Sequence, residues 1–215
     1  QTRIYTKLAN TNFSLNILAL NSSTTINTTY TGTVAVDLVD ASSTTCPTGS
    51  GLNNTATSIA FTAADQGRKA VTFKYPDSAR NVRVRMKVGS TTPACSSDNF
   101  AIRPQQLAIS TTNSTNNATL TGTPKAIAGS AFTLTADSGT TSGYDGTPTL
   151  DTTKVNDHNG TAIAGGTLTG TFSAGTGAVA SGTNFKYLDV GNIQLAANAV
   201  TDTSFMSWAW AKDVI

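Results

Sequence analysis

Phe73-Lys74-Tyr75-Pro76-Asp77 and Phe185-Lys186-Tyr187-Leu188-Asp189 are two copies of one phrase, F-K-Y-x-D, set far apart in a chain of 215 residues. Each copy is followed by small or turn-forming residues and by the apolar positions of a strand. After the first come Val82, Val84, Met86 and Val88; after the second come Val190, Ile193 and Leu195. Two further landmarks precede each copy in the same order. Ala9, Phe13-Ser14-Leu15 and Tyr30-Thr31-Gly32-Thr33 lie ahead of Tyr75. Ala128, Phe132-Thr133-Leu134 and Tyr144-Asp145-Gly146-Thr147 lie ahead of Tyr187. Three shared landmarks at similar spacing indicate an internal repeat, and a missed repeat misassigns a whole fold. The expected division is residues 1–104 and 105–215, with Pro104-Gln105-Gln106 as a short linker. Each half is long enough to bury a core of its own.

Composition selects strands. Charged residues make up only 12% of the chain, and every acid is Asp, so helix-favouring Glu is missing altogether. Thr and Val favour strands, while Gly, Asn and Asp favour turns. A disordered Ser/Thr stalk is the competing reading. Aromatic and β-branched residues recurring at strand spacing, together with a net charge of +2, argue against it. The basic and acidic residues are unevenly spread, with ten Lys/Arg against five Asp up to Pro104 and four against seven beyond it. That imbalance is too small to imply a nucleic-acid partner. No run of eighteen apolar residues occurs, so no helical membrane span is expected. The start at Gln1 and the lack of a recognisable signal sequence suggest a piece processed from something longer.

In the first half, strands are expected at residues 3–8, 13–20, 33–39, 58–61, 70–75, 82–88 and 100–102. A bulge near Ile17 and Leu18 would account for the broken alternation there. Residues 40–54 and 89–97 are expected to be loops. In the second half the pattern restarts at Leu107-Ala108-Ile109 and continues through 132–136, 149–155, 166–172 and 193–197. It closes on alternating Met206, Trp208 and Trp210. Short strands divided by turn signals predict an all-β fold of two tandem β-sandwich modules. A Tyr just before a corner and an alternating strand resembles the late corner of immunoglobulin-like domains. There a Tyr hydroxyl stiffens the arch, and Tyr75 and Tyr187 are the corner candidates.

Several phrases carry a more specific resemblance. They are Phe13-Ser14-Leu15-Asn16-Ile17 with Tyr30-Thr31-Gly32-Thr33-Val34-Ala35-Val36, residues 65–73, Tyr144-Asp145-Gly146-Thr147-Pro148, and above all Cys95-Ser96-Ser97-Asp98-Asn99-Phe100-Ala101-Ile102-Arg103-Pro104. Together they resemble the large MshQ-like bacterial surface proteins, named after biogenesis of the mannose-sensitive haemagglutinin pilus. The resemblance covers most of the chain. It implies a bacterial envelope or extracellular location and a role beside pili or in adhesion. It supplies no catalytic residues.

Candidate sites are few. Cys46 and Cys95 stand in separate loops of an exported-type chain, and a disulfide between them is expected. Arg83, Arg85 and Lys87 alternate on the outward face of strand 82–88, as a solvated row or as a contact for anionic glycans. Trp208 and Trp210 offer a second interaction surface. His158 has only Asp157, Asn159 and Gly160 around it, too few ligands for zinc. No Ser stands in a triad context. Asp137, Asp145, Asp151 and Asp157 lack regular calcium-loop spacing. The expectation is a non-enzymatic chain without cofactor. Its partners would be other domains of a longer surface protein or neighbouring subunits. A filament subunit assembling by strand exchange and a carbohydrate-binding module are the alternatives.

Overall fold

The computed structural model describes residues 3–53, 56–111, 127–140 and 142–205. It is all-β, and among the described residues the only helical pieces are two 3-10 turns, Ala63–Asp65 and Thr152–Lys154. The chain divides into two compact units, Gln1–Arg103 and Pro104–Ile215.

The first unit holds strands β1 (Lys7–Leu8), β2 (Phe13–Leu18), β3 (Gly32–Asp40), β4 (Thr57–Phe61), β5 (Arg68–Phe73), β6 (Ala79–Lys87), β7 (Ala94–Cys95) and β8 (Phe100–Arg103). One sheet runs β1-β8-β6-β3-β4, with β7 attached to β6, and β2 pairs with β5 in a separate ribbon. All pairings are antiparallel except β1 with β8, where Lys7 faces Ile102 and Leu8 faces Arg103 in parallel. The alternation that marks β6 in sequence is borne out: Val82 and Val84 are buried and the intervening residues are not.

Both sheets feed one core. Ile17, Val71 and Phe73 come from the ribbon, and Val34, Val36, Leu38, Val82, Val84, Phe100 and Ile102 from the larger sheet. Phe13 meets Phe73 at 5.8 Å in a stack and Phe100 edge-on at 5.9 Å, so one ring joins ribbon to sheet. Full burial of a side chain such as Phe100 contributes about 1.5–3 kcal/mol. The bulge expected near Ile17 is not there. The β2–β5 ladder keeps one register from Phe13 opposite Phe73 to Leu18 opposite Arg68. The alternation breaks because Leu18 and Leu20 face solvent, at 36% and 53% exposure. Of the expected first strand, only Lys7–Leu8 is paired.

The second unit holds β9 (Ala108–Thr111), β10 (Ala131–Asp137), β11 (Thr149–Leu150), β12 (Val155–Asp157), β13 (Leu168–Thr169), β14 (Val179–Tyr187), β15 (Ile193–Leu195) and β16 (Val200–Thr201). One sheet has the order β13-β14-β10-β9. Two short ribbons, β11 with β16 and β12 with β15, belong to a single broken ladder. Thr149 opposite Thr201 and Asp157 opposite Ile193 lie on one register. Between them Asp151 N donates to Ala199 O and Ala196 N to Lys154 O, on that same register. The 3-10 turn Thr152–Lys154 interrupts the pleat, which is why this half reads weakly as strand. Phe185 is fully buried between Phe132 at 6.3 Å and Phe172 at 4.9 Å.

The shared landmarks take matching places. Phe13 pairs with Phe73, and Phe132 with Phe185. Three residues before each leading Phe the chain is left-handed, at Asn10 (φ 56°) and Gly129 (φ 77°). The amide there donates to the corner tyrosine: Asn10 N to Tyr75 O at 2.6 Å, and Gly129 N to Tyr187 O at 2.7 Å. In each Y-x-G-T phrase the tyrosine ring folds over the glycine two residues on. A Cβ at Gly32 would lie 2.8 Å from the Tyr30 hydroxyl, and one at Gly146 would lie 2.7 Å from the Tyr144 ring.

The two tyrosines differ at the hydroxyl. Tyr144 Oη donates to buried Asp202 Oδ2 at 2.8 Å. Tyr30 Oη is buried with no hydrogen-bond partner among the described residues. The same substitution therefore has opposite expected outcomes. Tyr144→Phe strands a buried carboxylate oxygen and lowers unfolding free energy by about 1–3 kcal/mol. Tyr30→Phe removes an unpaired polar atom and leaves stability unchanged or raised by up to about 1 kcal/mol. Urea titrations of both variants decide the point, and equal losses would refute it.

Candidate functional site

The most elaborate side-chain cluster of the described residues lies on the outward face of β3 and β6. Asp37 interrupts the apolar run of β3, and Arg85 stands directly opposite it on β6. Cys95 on β7 stands opposite Arg85 from the other side. Three strands thus place Asp37, Arg85 and Cys95 in one row. The guanidinium grips the carboxylate with two bonds, Nε to Oδ1 at 2.9 Å and an Nη to Oδ2 at 2.5 Å. Its other Nη donates to the carbonyls of Pro47 at 2.7 Å and Gly49 at 2.6 Å. That loop follows Cys46, which is bonded to Cys95 with 5.4 Å between the Cα atoms. The expected disulfide is present. The loop covers the pair, leaving the Asp37 side chain 6% exposed and that of Arg85 13%.

The cations of β6 are accordingly not equivalent. Arg85 is spent on Asp37 and the loop. Arg83 donates to Ser96 O, and the Ser96 hydroxyl donates to Asp98 O while accepting from Val84 N at 3.2 Å. Lys87, at the strand end, is exposed. The row expected to face outward does so, and two separate loops occupy two of its three members, Pro47 and Gly49 at Arg85 and Ser96 at Arg83. What the arrangement does chemically is mechanical: it ties residues 46–49 and 95–98 to the sheet by a covalent bond, an ion pair and carbonyl contacts.

The corner tyrosines act through their carbonyls, as described above, and neither hydroxyl has a hydrogen-bond partner among the described residues. Burial, aided by the Asp77 and Asp40 charges, pushes the Tyr75 phenol above its ordinary value. Burial, with Asp189 and Asp157, does the same for Tyr187. Trp208 and Trp210 lie outside the described residues.

The acids weighed as calcium ligands serve local turns. Asp137 Oδ1 accepts from Gly139 N, Asp151 Oδ1 from Thr153 N, and Asp157 Oδ1 from Asn159 N and Thr161 N. His158 is exposed in the last of these turns. No group of three or more His, Cys, Asp or Glu able to hold a metal occurs among the described residues. No helix among them is long and apolar enough to cross a membrane. Asp37 escaped notice in the sequence, although a lone Asp inside Val34-Ala35-Val36-Asp37-Leu38-Val39 is the signature of a buried charge with a partner. Comparison with family models, with curated proteins and with solved structures found no match to this chain.

Proposed function

We propose that the chain is a tandem of two immunoglobulin-like β-sandwich modules, serving as a structural or adhesive piece of a bacterial cell-surface or pilus-associated protein. Strand order carries the fold part of this reading. In the second unit β9-β10-β14-β13 follows the A-B-E-D order of such domains. In the first, β8-β6-β3-β4 follows G-F-C-C′, with β2 and β5 as B and E. The matching Phe13–Phe73 and Phe132–Phe185 pairings support the repeat, and the β10–β14 ladder differs by a register shift between Phe132 and Leu134 that adds one residue to β14. The Cys46–Cys95 bond suits an oxidising compartment. The likeness of residues 95–104 to MshQ-like surface proteins supports the location.

The described residues spend their polar groups on turns, loops and pinning contacts, and this favours a scaffold over a reactive centre. Antibodies raised against the chain test the location on the source bacterium. Labelling of intact cells is expected, together with release of the epitope by protease added outside. Labelling that needs permeabilised cells would overturn the surface assignment.

A further inference from the structure

The same kind of ladder occurs in each unit, and among the described residues only one of the two has its outer edge covered. In the second unit β10 is flanked on both sides, by β14 and by β9. There β9 runs antiparallel, with Leu134 opposite Thr111, Thr135 opposite Ser110, Ala136 opposite Ile109 and Asp137 opposite Ala108. Matching Phe132 to Phe13 carries those positions onto Leu15, Asn16, Ile17 and Leu18 of β2. Among the described residues β2 pairs with β5 alone. Ala19 N donates to Gly67 O on the β2–β5 register. Antiparallel alternation then directs the odd residues of β2 toward β5 and the amides and carbonyls of Ser14, Asn16 and Leu18 toward the outer edge. Exposed Leu18 and Leu20 lie at the end of that edge. An uncovered strand edge beside exposed apolar side chains is a template for another strand.

We propose that the outer edge of β2, over residues 14–18, is a docking site for an extended polypeptide segment of β9 chemistry. The occupant of the equivalent edge defines that chemistry. Residues 108–111 carry no charge and no Pro. They alternate exposed small residues, Ala108 and Ser110, with half-buried Ile109 and Thr111. Ser110 and Thr135 hydroxyls meet across the pair at 2.5 Å, and Asn16 stands in the Thr135 position. The partner is therefore an uncharged strand with alternate apolar or β-branched positions, bound antiparallel through backbone hydrogen bonds, with specificity in its inward side chains. This inference rests on the matching ladders and not on surface location, so antibody labelling and the test below can fail separately.

The test joins a copy of residues 105–111, Gln-Gln-Leu-Ala-Ile-Ser-Thr, ahead of Gln1 of the full chain through a flexible Gly/Ser linker, which supplies a high local concentration. Amide exchange is followed at Ser14, Asn16 and Leu18. Slowing by about tenfold or more is expected at Asn16 and Leu18, which face residues 110 and 108 of the copy, and not at Ser14, whose opposite position lies beyond it. Ile109→Pro made within the added copy alone should abolish that protection, because proline disrupts the added strand while leaving the host untouched. Unchanged exchange, or equal protection by the proline copy, overturns the proposal. Strong protection of Asn16 and Leu18 in the unextended chain, independent of its concentration, also overturns it, since another part of the chain then covers the edge.

Discussion

Cys46→Ala combined with Cys95→Ala lowers the stability of the first unit by about 4 kcal/mol, the loop-entropy value for a bridge spanning 49 residues. The closed loop contains β4, β5 and β6 entire, along with the end of the loop that covers Asp37. Without the bond, the unfolded chain regains the freedom of that whole segment. The folded state loses a tether that holds residues 46–49 against the guanidinium of Arg85. Urea denaturation followed by far-UV circular dichroism measures the loss. Amide exchange at Val36, Leu38 and Val84 localises it to the sheet beneath the loop. A change under about 1 kcal/mol would show that the bridge constrains neither state and would remove the pinning argument.

Arg85→Met has the second large effect, a loss of about 3–5 kcal/mol, because it leaves a buried carboxylate without its countercharge. Methionine keeps much of the apolar stem and removes all the donors, so the carbonyls of Pro47 and Gly49 lose their partner as well. Arg85→Lys is not a rescue. An ammonium cannot reproduce the forked grip on both Asp37 oxygens while reaching two carbonyls. The discriminating variant is Asp37→Leu with Arg85→Met. Replacing both members with apolar groups removes the stranded charge and recovers most of the loss. A double variant as unstable as the single would mean that packing, and not the unpaired charge, carries the effect. These changes and the disulfide deletion act on one loop, so their costs are not expected to add.

How much of this was legible depends on which forces leave a periodic trace. Residues 82–88 alternate because β6 buries one face, and pattern reading found that strand. The Cys pairing followed from two thiols in one exported-type chain. The fold-back of residues 46–49 has no period. It is held by one guanidinium and one bond, and Arg83 is taken up by the Ser96 carbonyl of the other loop, so both read in sequence as members of a free row. Leu18 and Leu20 misled in the opposite way: exposed apolar residues imitate a shift of phase, and a bulge was inferred where the ladder is regular. The broken ladder of β11–β12 with β15–β16 shows a third limit. Its register survives a 3-10 turn through backbone bonds alone, and these leave no mark on side-chain pattern.

The parallel seam between β1 and β8 bears on what happens when the first unit is stretched. The amino end of β1 and the carboxyl end of β8 point in opposite directions along neighbouring, co-directional strands. Tension applied through those ends slides one strand along the other. The Lys7–Ile102 and Leu8–Arg103 contacts, and the bond from Ala9 N to Arg103 O at 2.8 Å, then share the load and must yield together. A hairpin pulled from its open end would yield one rung at a time. Behind that seam the cystine limits the slack: 49 residues, roughly 160–175 Å of extended chain, cannot be drawn out while the bond is intact.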